Sequence, residues 1–222
     1  MQQSVEIQER SRLIDHFKRA YQIIVGLAIT LACTKLFPND IAQIPEDTSF
    51  WLFCTFFITV VPIFHGGDRS LDIKYLRQQP VGFWGRAAYV WDVYMLLITA
   101  ILFVKIAQAI PGTTILGTGS SSPGTPTLFY KWMAFMLFVD VGILIVDGVK
   151  NKLLDTRAQA ELGAYIKWIV LNISLAAVCL VAEHSSACIT AVSANIISII
   201  VFAFALLRTI LDYIFGKDFM FP

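Results

Sequence analysis

Six apolar stretches fill most of this chain, and each is long enough, or nearly so, to cross a lipid bilayer. They cover 21–37, 50–64, 88–110, 128–146, 165–182 and 187–207. A spanning helix needs about 20 mostly apolar residues. Backbone N–H and C=O groups find no water in hydrocarbon, so a single apolar span satisfies them only as a helix. The expected fold is therefore all-α: a polytopic integral membrane protein with six transmembrane helices in one domain over 1–222. The second stretch is short and aromatic, and needs its flanks or a bend to span.

Charge is scarce in the way lipid requires. Charged residues make up 15% of the chain and hydrophobic ones 57%, whereas soluble domains carry about 25% charged residues. A net charge of +1 with no basic block argues against nucleic acid as a partner. No zinc-type cysteine spacing, haem motif or histidine cluster points to a metal or other cofactor. No small-residue cleavage pattern marks a removable signal ahead of the first span.

Lys and Arg resist translocation and mark the cytoplasmic side. Fourteen of the seventeen basic residues fall on one side of this map. They lie before the first span, after the second and fourth, and around Lys167, Arg208 and Lys217. The exceptions, Lys35, Lys105 and Lys131, sit at helix ends where a long side chain can snorkel to the interface. Both termini are expected in the cytoplasm, with a bacterial inner (plasma) membrane as the location.

The outer loops are short and poor in base. The stretch 111–127 is uncharged and rich in Gly, Ser, Thr and Pro, which predicts an irregular loop. Its glycines lack the Lys of a phosphate-binding loop. On the inner side, Leu13, Ile14, Phe17 and Tyr21 share a helical face, so 1–20 reads as a cytoplasmic interfacial helix running into the first span. The stretch 71–84, broken by Pro80, reads as a segment lying on the inner surface.

Asp140 is the most informative side chain. It stands seven positions before Asp147, close to two helical turns, so both carboxylates project from one face, with Asp140 roughly 10 Å deeper. A carboxylate at that depth must be protonated, paired or facing water. It serves either as an ion or proton site or as a polar tie to a neighbouring helix. Asp92 lies about one turn inside the third span, and reads either as part of that pathway or as a group reaching headgroup water. Pro62 removes the helical partner of the Ile58 carbonyl. Gly66 and Gly67 are expected to release the chain from the helix just after His65, a side chain suited to switching near neutral pH.

Asp68, Arg69, Asp72, Arg208 and Asp212 form an expected cytoplasmic charged network. Arg208 can pair with Asp212 one turn on, and Arg69 with Asp72. Asp92 or Asp147 can be latched by Arg69 or Arg208 across helices; ordinary interfacial ion pairing explains the same residues. Asn172, Asn195 and Ser198 read as helix-packing groups or as a polar pore lining. Cys33, Cys54, Cys179 and Cys188 read as small apolar fillers, with an outer-face disulfide as the alternative.

Three functions compete. The leading expectation is a small channel or transporter for an ion or small solute, working as a homo-oligomer, with Asp140, Asp147, Asp92 and His65 on its pathway. The second is a non-transporting sensor, scaffold or defence-effector subunit with a cytoplasmic protein partner. The third is a lipid-modifying enzyme using His65, Asp68, Arg69 and Asp72.

Overall fold

A computed structural model of the chain describes residues 2–37, 48–77, 83–112, 124–154, 159–186 and 191–217. Six long helices account for nearly all of them: α1 (Gln2–Leu36), α2 (Thr48–Leu71), α3 (Phe83–Ala109), α4 (Pro126–Leu154), α5 (Gln159–Ser186) and α6 (Ala191–Phe215). Each is long and apolar enough to cross a membrane. The chain is thus an all-helical, multi-pass membrane protein. Large apolar side chains such as Ile23, Phe135, Val181 and Leu207 point outward and stay exposed, as lipid contact requires.

Neighbours in space are not always neighbours in sequence. Around the bundle the order is α1, α3, α4, α5, α6, α2, and α2 also touches α3 and α4. The contacts Trp51–Phe202, Ile58–Thr209 and His65–Tyr213 keep step along α2 and α6, so these two helices run parallel. Lys18, midway along α1, meets Asp68 near the end of α2. The middle of α1 and the last turns of α2 and α6 therefore lie at one level of the bundle.

Local chemistry sets the helix ends. At the start of α4, the Thr125 hydroxyl accepts a bond from the Leu128 N–H at 3.2 Å, and Pro126 follows at the first helical position, where its missing N–H costs nothing. Gly124 is needed there, because a Cβ would lie 2.4 Å from the Ile110 carbonyl oxygen. Lys35 does not snorkel outward. It is buried, and its ammonium donates to the carbonyls of Gln108 and Ile110 (2.9 Å for the latter). A cation at the C-terminus of α3 satisfies orphan carbonyls and meets the negative end of the helix dipole. Lys105 and Lys131 are exposed.

Three further points concern the inner-side segments. First, α1 runs unbroken from Gln2 into the first apolar stretch, as the expected helix running into the first span would. Ile14 is buried against Leu71 and Tyr75, while Leu13 on the expected apolar face is exposed. Second, Gly66 and Gly67 do not release α2, which runs on to Leu71 and into a π-helical turn over Asp72–Arg77. Glycine here provides room: a Cβ on Gly67 would lie 2.5 Å from a methyl of Leu96. Third, Leu71 and Tyr75 are buried in the bundle rather than lying on the inner surface; 78–82 lies outside the described residues. Cys33, Cys54 and Cys179 are free thiols, and Cys188 falls outside the described residues.

The Pro62 prediction has a specific answer. The Thr209 hydroxyl on α6 donates to the Ile58 carbonyl at 2.9 Å, replacing the N–H that proline lacks. Thr209→Val is expected to cost about 1 kcal/mol, and Thr209→Ser much less. In a Pro62→Ala background the helix supplies its own donor, so Thr209→Val should then cost little. Thermal unfolding in detergent micelles of the four corners of this cycle measures the coupling, and additivity would show that the hydroxyl does not serve the proline break.

Candidate functional site

One face of α2 opens the interior. Pro62, Ile63, Gly66, Gly67, Ser70 and Leu71 recur at helical spacing along a cavity wall, and Lys74 on the π-helical turn continues it. Gly66 and Ser70 have little or no side chain to fill the space beside them, while Gly67 lets Leu96 of α3 pack close to α2. The result is a cavity of about 870 Å³, counting the solvent at its mouth. Helices α3, α4, α5 and α6 complete it with Asp92, Asp140, Asp147, Asn172, Arg208 and Asp212.

Two polar arms reach into this space. In the first, the Lys74 ammonium lies 3.1 Å from Asp92 and 2.5 Å from Asp147. The Tyr75 hydroxyl donates to the same Asp92 oxygen at 2.8 Å. Asp92 and Asp147 are both buried, and a buried carboxylate without a cation is costly. A lysine from the π-helical turn therefore joins α3 to α4. Single π-helical turns recur at functional positions in helices.

In the second arm, Arg208 pairs with Asp212 one turn on, at 3.3 Å. It also donates from Nε and Nη2 to the Asn172 side-chain carbonyl at 3.1 and 2.7 Å. The Asn172 amide then donates to Asp140 at 2.6 Å. An ion pair between Asp212 and Arg208 and hydrogen bonds from Arg208 through Asn172 to Asp140 thus link α6 through α5 to α4. Asn172 works as a relay: one end of its amide serves a guanidinium and the other a carboxylate, which fixes its orientation. Asp140 is half-buried because it borders the cavity. Among the described residues no cation lies within ion-pairing distance of it.

The remaining candidates lie elsewhere. Asp68 and Asp72 both pair with Lys18 on α1, at 3.0 Å each; the expected Arg69–Asp72 pair gives way to this cross-helix contact. Arg69 is half-buried and does not line the cavity. His65 packs against the Tyr213 ring at 6.3 Å, also outside the lining. Of the four residues of the enzymatic reading, Asp68 and Asp72 share Lys18 of α1, while His65 packs on Tyr213 of α6. The Ser198 hydroxyl bonds the Asn195 carbonyl within α6 at 2.7 Å, and neither residue lines the cavity. Asp92 and Asp147 are latched by Lys74, where the sequence suggested Arg69 or Arg208.

Lys74 is the residue that sequence reasoning placed wrongly. Its signal is the run Gly67, Ser70, Leu71, Lys74 at spacings of three, one and three, one helix face carried past the glycines. Reading those glycines as a break hid the face.

Removing Lys74 strands two buried carboxylates. Lys74→Met is expected to destabilise the bundle by about 3 kcal/mol, and adding Asp147→Asn should recover part of that loss. Equilibrium unfolding in mixed micelles measures both; a Lys74→Met protein as stable as wild type would show that the ammonium does not hold α3 and α4 together. No family model, curated protein or solved structure matches this chain.

Proposed function

We propose that this chain is a membrane transport protein that moves an ion or small solute through its own helical bundle. The observation that carries the reading is the cavity bordered by Asp140. An acid inside a membrane bundle, bordering a cavity and reached by Arg208 only through the Asn172 amide, is costly to keep and marks a pathway more often than a packing contact. The supporting chemistry is an ordered polar lining set among apolar walls. The cavity is also enclosed by helices of one chain, so the pathway needs no second copy to complete it, although assembly into a homo-oligomer remains compatible with it.

The other half of the bundle favours a carrier over a standing pore. There Phe56, Phe103, Phe129 and Tyr130 are fully buried in a continuous apolar core. Phe129 and Tyr130 lie about 15 Å along α4 from Asp140, at 1.5 Å per residue. A cavity backed by a packed aromatic layer suits alternating access, in which helices rock to open the opposite side. The bias of basic residues assigns the charged end to the cytoplasm. In this reading Asp140 holds the cargo, Lys74 and Arg208 hold the helices around it, and His65 has no direct role.

Purified protein in liposomes tests this. Uptake of methylammonium and rubidium, and dissipation of a pH gradient, are each compared with empty liposomes. Wild type is expected to exceed the blank for at least one species, and Asp140→Asn to reduce that flux by at least tenfold. Unchanged flux in the variant would remove Asp140 from the pathway. Absence of any flux, together with a stable protein partner recovered in gentle detergent, would favour the non-transporting subunit instead.

A further inference from the structure

Charge balance and wall chemistry in the cavity together narrow what it can hold. Four carboxylates, Asp92, Asp140, Asp147 and Asp212, face Lys74 and Arg208, so the lining carries a formal charge of −2 when all six are ionised. Lys74 is engaged by Asp92 and Asp147, and Arg208 by Asp212 and Asn172. An anion would meet cations already engaged and an excess of negative charge. A cation would meet Asp140, which holds only the neutral Asn172 amide among the described residues.

The surroundings of Asp140 suit a carbon-bearing cation better than a bare metal ion. Among the described residues no group of three acidic, histidine or cysteine side chains is gathered to hold a metal. A small desolvated cation needs such a cage of oxygen ligands. Instead Ile143 and Leu144, one turn along α4, present hydrocarbon to the cavity beside the acid, facing Met95 and Leu96 on α3. Tyr165 and Trp168 add aromatic rings to the lining, and ring faces attract organic cations. The lining sets a few placed polar groups among apolar walls, the pattern of small-molecule sites.

We propose that the cavity is a binding site for small organic cations, in which a protonated amine sits on Asp140 and its hydrocarbon body lies against Ile143, Leu144 and the α3 wall. The inference rests on the transport reading for its physiological role but makes a claim about binding alone.

The test separates charge from body. Isothermal titration of the full-length protein in detergent uses phenethylammonium, the neutral phenethyl alcohol of similar shape, and ammonium ion. Phenethylammonium is expected to bind at least tenfold more tightly than either control. Asp140→Asn should weaken it at least tenfold, and Leu144→Trp, which keeps the acid and fills the apolar wall, should weaken phenethylammonium while sparing ammonium. If Asp140→Asn does not fold, the Leu144→Trp comparison and the three-ligand series in wild type still decide. Equal affinity for the amine and the alcohol, or preference for ammonium, would overturn the proposal. Amine binding without flux in liposomes would sustain this site and overturn the transport reading. Flux of protons or rubidium with no amine binding would do the reverse.

Discussion

Hydrocarbon offers no hydrogen bonds, so every polar group carried into this bundle must find its partner inside the protein. The arrangement of the helices follows from how that demand is met. Where the backbone is interrupted, side chains from other helices complete it: Thr209 answers the Ile58 carbonyl, and Lys35 answers the end of α3. Where charges enter, they are matched across helices: Lys18 to Asp68 and Asp72, Lys74 to Asp92 and Asp147. These contacts select neighbours. The apolar faces alone would pack in several orders, because lipid competes with protein for hydrocarbon on nearly equal terms.

The same demand explains why the cavity is ordered. Its two polar arms are ties between helices first. Lys74 binds α3 to α4, and the Arg208–Asn172–Asp140 chain binds α6, α5 and α4. The small residues on the α2 face keep the space between these ties open. An occupant would therefore meet groups already fixed in orientation, which reduces the entropy lost on binding. Asp140 differs from the other acids in holding a neutral amide. It stands at the boundary between the structural network and the open space.

Much of the fold was legible in the chain. Six apolar stretches became six helices, each longer than its apolar stretch because α-helix continues past the hydrocarbon limit where polar residues follow. The loss of a helical partner at the Ile58 carbonyl was foreseen, though α2 runs on through Pro62, and so was the local pair of Arg208 with Asp212, since both depend on spacing along one helix. Asp140 and Asp147 were placed on one face by the same rule, and both line the cavity. The misplaced elements were those whose partners lie on other helices. Lys35 looked like an interfacial lysine until α3 ended beside it. Gly66 and Gly67 looked like a helix terminus, but in hydrocarbon a helix persists through glycine because unmade backbone bonds cost too much there.

The sequence by itself determined six helices long and apolar enough to cross a membrane and the shared face of Asp140 and Asp147 on α4, because hydropathy and helical rise act along the chain and need no knowledge of neighbours. Tertiary structure alone decided that Lys74 enters the interior, that Asn172 relays between Arg208 and Asp140, and that His65 stays outside the cavity. Those outcomes depend on which helices stand side by side, and α1 beside α3 or α2 beside α6 is a choice among packings of similar apolar surface. The physical reason is one of range. Periodicity reports where a side chain points on its own helix, whereas charge pairing depends on what stands opposite.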